Sequence, residues 1–361
     1  MAATATRVDS VAELLGERSL DLLLIADAVN LRYVTGFTGS NGLALIGAET
    51  RTFITDFRYS KQAADEVAGF EHAPASTELF DGIEAALPAQ RPLRLGYDDA
   101  HVTVKAHRIL GEKLPDDVAL IASGGLVERL RAIKSPQERE LVASAARLAD
   151  EALETILGRG LVGRTERAVA IDLEQEMRLR GASGPAFASI VAAGAHGALP
   201  HASPRDVEIP ADALVIVDWG AELDGYCSDC TRTFTTGSGI GATERAVYEL
   251  VREAQQAALG AVSAEAAGRG VDAVARDLIA AAGYGEQFGH GLGHGVGIEV
   301  HERPRLSRLS DDKLVAGNVV SVEPGVYIPG RFGVRIEDLV VVGEDGCEVL
   351  THLPKELTVV D

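Results

Sequence analysis

Residues 289–304 read GHGLGHGVGIEVHERP, and this composition decides what kind of structure can hold them. Three histidines, His290, His294 and His301, stand in a run so rich in glycine that a regular helix would be costly, each interior Gly losing about 1 kcal/mol against Ala. His290 and His294 are four residues apart, the spacing that puts two imidazoles on one helix face in zinc proteases. That pattern needs a glutamate directly after the first histidine, and Gly291 stands there instead. The segment therefore reads as an imidazole-bearing loop, and a metal held by it must take its other ligands from elsewhere in the chain.

Four carboxylates on strand candidates supply them. Asp218 ends the apolar run ALVIVD, and Asp229 lies across the turn AELDGYC, so the two are expected as cross-strand neighbours or one pair out of register. Glu323 and Glu337 repeat the arrangement about Gly330 in the turn IPGRFG. Directly opposed side chains in an antiparallel pair have Cβ atoms roughly 4.5–5.5 Å apart. Acids brought that close at the ends of Val- and Ile-rich strands repel unless protons or cations intervene. One imidazole with four carboxylates is an oxygen-rich donor set, suited to two divalent ions of the manganese, cobalt or zinc kind.

The rest of the composition narrows the partners. At 361 residues, with 46% hydrophobic content, the chain has the size and make-up of two globular domains. A net charge of −20 and a pI near 4.9 speak against nucleic acid or an anionic membrane as partner, and no local basic patch offsets them. No 18-residue apolar run occurs, and the N-terminal MAATATRVDSVAELLGERS lacks a basic region before an apolar core, so a cytoplasmic protein is expected. Cys227, Cys230 and Cys347 make no disulfide framework. Cys227 and Cys230 match C-x-x-C but sit in a β-prone segment without a second pair, and read as ordinary half-buried thiols.

Taken in order, the chain begins with a helix over 7–17, strands over 21–26, 43–47 and 52–55, and a helix over 59–67. Strands over 93–98 and 118–123 flank a helix over 103–114, which makes a small α/β domain over 1–127. A capping box then marks the entry to a second domain over 128–361: Ser135 as cap, Pro136 at the first helical position and Glu138 three residues after the cap. The long helix it starts runs to about Leu157. Thr165 caps a second helix that Gly181 ends, strands follow, two helices over 243–262 and 271–282 come next, and strands close the chain. The recurrence of helices followed by strands hints at a duplicated unit.

The set VDWGAELDGYCSDCTRTF, GHGLGHGVGIEVHERP, VEPGVYIPG and GVRIEDLVVV resembles the metallopeptidase family of Xaa-Pro aminopeptidase, Xaa-Pro dipeptidase and methionine aminopeptidase. NLRYVTGFTGSNG and TDFRY in turn resemble the creatinase-like N-terminal domain of the proline-specific branch. The resemblance implies a pseudo-symmetric "pita-bread" α/β catalytic domain and hydrolysis of the bond before proline, with a lean towards dipeptidase. It implies two divalent ions per subunit, manganese first, held by Asp218, Asp229, His294, Glu323 and Glu337, with Asp229 and Glu337 bridging. Glu323 becomes a proton shuttle and His201 and His301 catalytic donors, while His290, Tyr327 and Arg335 fall to the substrate side, Arg335 also orienting an acidic ligand. A homodimer follows by resemblance alone. Two readings stay beside it: a methionine aminopeptidase-like enzyme, which the residues before the capping box count against, and a non-catalytic binding module on the same fold, which five intact ligand positions count against.

Overall fold

The uninterrupted apolar run Leu22–Ile25 is buried along its whole length, as a strand covered on both faces must be. It pairs antiparallel with Gly42–Gly47 on one side and parallel with Leu93–Tyr97 on the other. These form the middle of a six-stranded sheet that continues through Arg51–Thr55 to Glu71–Pro74 at one edge and ends on Val118–Ala122 at the other. The computed structural model describes residues 2–90 and 92–361, and the sheet belongs to the first of two compact units, Met1–Arg131 and Ala132–Asp361. The division falls within the helix Leu126–Ala132, which also contains the residue 128 at which the sequence starts the second domain.

Two elements of this unit carry weak sequence signals. The helix Ala28–Thr35 holds β-branched and aromatic residues of modest helix propensity. It forms because the Asp27 side chain accepts from the amides of Val29 and Asn30, at 3.0 and 2.9 Å, and Gly36 at φ 81° ends it. The strand Glu71–Pro74, read as EHAP, is largely exposed and tolerates its proline because it lies at the sheet edge.

The second unit opens with the capping box: Ser135 Oγ accepts from the Glu138 amide at 3.3 Å, and Glu138 Oε2 accepts from the Ser135 amide at 2.9 Å. It starts the helix Pro136–Leu157, and Thr165 caps Glu166–Leu179. Three antiparallel strands follow, Ile190–Ala193, Leu214–Trp219 and Cys230–Thr235. The sequence of elements then repeats. Helices Ala242–Leu259 and Gly268–Ala281 precede a five-stranded sheet ordered Glu302–Leu306, Gly293–Gly295, Val319–Val322, Asp338–Val342 and Cys347–Val349, and the hairpin Gly325–Ile328 with Phe332–Arg335. Each helix pair covers its own strands, Leu153, Leu173 and Met177 packing with Val215 and Trp219, and Val251, Ala275 and Ile279 with Val320 and Val340. With the apolar faces buried in this way, the polar strand ends are left to meet one another. Among the described residues no helix is long and apolar enough to cross a membrane.

Candidate metal centre

The first acidic pair is set by a turn. Asp224 and Gly225 both have positive φ, 51° and 82°, in a two-residue Asp-Gly connection between the partners Leu223 and Tyr226. The same register carried outward puts Asp218 opposite Thr231. Asp229 is therefore two residues off its partner position, on the same side of the ribbon, the second of the two registers the sequence allows. The second pair is directly opposed: Val322 pairs with Asp338 and Gly325 with Arg335, which leaves Glu323 facing Glu337.

The two ribbons and the histidine strand converge. Asp218, Asp229 and Glu337 each offer an oxygen within 4.8 Å of the others. His294 Nε2 lies 3.6 Å from Asp229 Oδ2 and 3.3 Å from Glu323 Oε1. All five side chains line one cleft of about 570 Å³, which His201, His290, His301 and Arg335 also line. Close backbone approach explains the glycines here: a Cβ on Gly293 would stand 2.0 Å from the Ser321 carbonyl oxygen, and one on Gly295 would stand 2.0 Å from that of Arg303. The strand Gly293–Gly295 can reach its neighbours only without side chains at those positions.

Hydrogen bonds orient the converging groups. His294 Nδ1 lies 3.1 Å from the Gly295 carbonyl, a contact that fixes the ring and leaves Nε2 facing the carboxylates. Arg335 donates to Asp218 Oδ2 at 2.7 Å, to Thr231 Oγ1 at 2.9 Å and to the Tyr327 hydroxyl at 2.7 Å. Thr231 in turn donates to Glu337 Oε2 at 2.8 Å, and the Tyr327 hydroxyl lies 2.9 Å from His290 Nε2. One guanidinium thus fixes an acid of each ribbon and, through a phenol, an imidazole. Tyr327, expected on the substrate side, is buried behind the cleft and reaches it only through His290 and Arg335.

The electrostatics are those of charges short of counter-charge. Burial, and then the neighbouring acids, push Asp229 and Glu337 well above the usual carboxylate range. Asp218 is raised by burial and Glu323 in spite of the Arg335 charge. Glu323 behaves differently: burial works against its ionisation, but the hydrogen bond and charge of His294, with His290 and Arg335, hold it at about 2. His301 is lowered to about 4 by burial and the nearby His294 and Arg305, and His290 is lowered by burial. Both are neutral imidazoles at pH 7.

Two groups escaped the sequence reading. Thr231 stands two residues beyond Asp229 and so on the same strand face, a signal that period-two counting offers. Arg305 lines the cleft, is exposed, and makes no ion pair of its own among the described residues. Its place, an exposed position in the alternating burial of Glu302–Leu306, shows only once the strand is folded. His196, outside every motif, is structural, its Nδ1 lying 2.8 Å from the buried Glu166.

Residues 140–344 match metallopeptidase family M24, and residues 7–133 match the creatinase/prolidase N-terminal domain. The chain belongs to the M24 metallopeptidases. It is 41% identical over 353 residues to an uncharacterized peptidase of Bacillus subtilis, covering 98% of this chain and 99% of that one. The structure of an Xaa-Pro dipeptidase from Bacillus anthracis superposes with a TM-score of 0.94 at 38% identity, over 99% of each chain. That of an X-Pro aminopeptidase from Thermotoga maritima gives 0.88 at 36%, over 95% of this chain and 99% of that one. The α/β architecture, a creatinase-like domain followed by an M24 domain, is that of these relatives.

An M24 metallopeptidase uses divalent metal, and the residues present fit one. Asp218 Oδ1 and Glu337 Oε1 are buried without a hydrogen-bond donor. A buried carboxylate oxygen left so is costly unless a cation meets it. Three mutually repelling acids, two of them with such an oxygen, beside an imidazole nitrogen, form a hard, oxygen-rich cradle.

Proposed function

We propose that this M24 peptidase is a dinuclear Xaa-Pro dipeptidase, with manganese as the favoured ion and a homodimer as the favoured assembly. The observation that carries the proposal is the meeting of four carboxylates and His294 in one cleft with two buried oxygens that no protein donor satisfies. Asp218, Asp229, Glu337, Glu323 and His294 would together hold the two ions. Bound there, such ions would activate water at neutral pH and polarise the scissile carbonyl.

The chain's own groups do the rest. Glu323, ionised and 3.3 Å from His294 Nε2, accepts the proton of the attacking water and passes it to the proline nitrogen, which must leave as an amine. His301 and His201 line the same cleft and donate to the oxygen on which charge develops. His290, steadied by Tyr327, shapes the wall on the proline side. The bond before proline has a tertiary nitrogen without an amide hydrogen, so a pocket for it supplies shape rather than an acceptor.

Arg305 supports dipeptidase over aminopeptidase. An exposed guanidinium in the cleft without an acidic partner suits the free carboxylate that a dipeptide presents immediately after proline. A metal-depleted sample is expected to regain Xaa-Pro cleavage with Mn²⁺, and full activity in excess chelator would overturn the mechanism. Arg305→Gln is expected to raise KM for the dipeptide roughly tenfold or more, the loss of a charge-assisted contact of about 1.5–3 kcal/mol, and to change an Xaa-Pro-Yaa tripeptide far less. A parent enzyme that prefers the tripeptide would reverse the assignment.

A further inference from the structure

Thr231 and Arg232 are successive residues of the strand Cys230–Thr235 and so face opposite ways. Thr231 reaches the cleft side and Glu337. Arg232 reaches the other side, where it is 1% exposed. Its guanidinium donates to the main-chain carbonyl of Glu337 and, at 2.8 Å, to Asp338 Oδ1. It also donates to the carbonyls of Leu353, at 2.7 and 3.1 Å, and Pro354, at 3.2 Å. One side chain therefore ties the strand that begins beside Asp229 to the peptide that carries Glu337, and both to the C-terminal tail.

The tail over 350–361 has almost no regular structure of its own, yet it is held along its length. Thr351 Oγ1 donates to Asp338 Oδ1 at 2.9 Å, and Lys355 Nζ to Asp338 Oδ2 at 2.5 Å. Gln255 Nε2 donates to the same Oδ2 at 2.9 Å, and Lys355 Nζ to Gln255 Oε1 at 3.2 Å. The amide of Val360 donates to Thr235 O at 2.8 Å, and the amide of Thr235 to Thr358 O at 3.0 Å. All of this lies behind the acidic ribbons, away from any reacting group. It is a large investment of buried polar contacts in one peptide unit.

We propose that Arg232 is a positioning residue of the metal centre: backed by the C-terminal tail, it fixes Glu337 relative to Asp229 and so sets the affinity for the cation pair. The inference rests on the metal reading above. Partners behind metal ligands are worth roughly 10–100-fold in affinity. A lysine at 232 keeps the charge against Asp338 but has a single nitrogen, which cannot serve Asp338, Glu337 and Leu353 together.

The test is Mn²⁺ titration of the metal-depleted full-length chain, followed by calorimetry. Arg232→Lys is expected to weaken binding roughly tenfold or more. Lys355→Met, which removes a 29% exposed ammonium from Asp338, is expected to weaken it several-fold, and carries the test should the arginine variant fail to fold. Ile279→Val, a core change in the helix Gly268–Ala281, lowers thermal stability and is expected to leave the affinity unchanged. The positioning role is overturned if Arg232→Lys and Lys355→Met bind Mn²⁺ as tightly as the parent, or if Ile279→Val weakens binding equally. A parent that takes up no Mn²⁺ sinks the metal reading and this role together; a parent that binds Mn²⁺ without cleaving Xaa-Pro sinks only the substrate assignment.

Discussion

Both units bury acids with raised proton affinity, and among the described residues one of them makes a metal cradle. Asp98, in the first unit, is pushed up to about 7 by burial and then by the charge of Glu128. Its Oδ2 nevertheless accepts from the amides of Ala26 and Asp27, at 3.2 and 3.3 Å. In the second unit Asp229 and Glu337 are raised by burial and by neighbouring acids, and one oxygen each of Asp218 and Glu337 has no donor among the described residues. A third solution is Glu302, next to His301, whose carboxylate meets the buried Lys134 ammonium at 3.0 Å. A raised proton affinity alone therefore marks burial, while converging oxygens without donors mark a place for a cation.

The sharpest way to break that contrast is Glu337→Gln. It is expected to abolish stoichiometric metal and to lower kcat/KM for an Xaa-Pro dipeptide roughly 10³-fold or more, since several kcal/mol of charge stabilisation go with the ions and each 1.36 kcal/mol is tenfold. The metal-free protein should gain thermal stability, because one of the mutually repelling acids is gone. Metal analysis beside turnover reads both. Unchanged metal content with unchanged turnover would mean that the cradle is only a strained cluster of acids.

Lys134→Met tests the paired case. Removing one partner of a buried ion pair costs about 3–5 kcal/mol, and at 1% and 4% exposure Lys134 and Glu302 are both inside. A large fall in unfolding free energy is expected, with Mn²⁺ affinity retained, because Glu302 is no ligand. A loss below about 1 kcal/mol, read by urea unfolding, would show that the pair behaves as exposed pairs do.

What the sequence disclosed follows the same lines. Acids closing apolar runs, a Pro-Gly turn at 329–330 and the Ser135 capping box are local signals, and strands and helices formed where they point. The helix Ala28–Thr35 was hidden because its residues favour it weakly and its cap decides. The register of the first ribbon was legible in Asp224-Gly225, which fixes where the strands cross, whereas the positions of the two acids alone left two registers open. Period-two counting puts Thr231 on the face of Asp229, but the partners of Thr231, Arg232 and Arg305 were out of reach for a different reason. Their partners lie 106, 105 and, for the cleft, dozens of residues away, so only the folded pairing of strands tells which face each one serves.

Asp98→Asn sharpens the comparison from the other side, with the smallest expected effect. The folded-state pKa of about 7 lies above the ordinary 3.8, so between those values the folded chain holds a proton that the unfolded chain has released. Stability therefore falls as pH rises across that window, and the penalty persists in full above it. Asn keeps an oxygen for the amides of Ala26 and Asp27 and cannot ionise, although Asp27, Glu128 and His101 remain around it. At pH 8 the variant is expected to exceed the parent by on the order of 1–3 kcal/mol, since a tenfold difference in proton affinity between folded and unfolded chain is worth about 1.36 kcal/mol. The advantage should vanish towards pH 4. Metal content and Xaa-Pro turnover should not move, since Asp98 lies outside the metal cleft and its Oδ2 already has two backbone donors. Parallel pH profiles of unfolding for parent and variant would show that Asp98 ionises as readily in the folded chain as in the unfolded one, and that two backbone amides are enough to offset its burial.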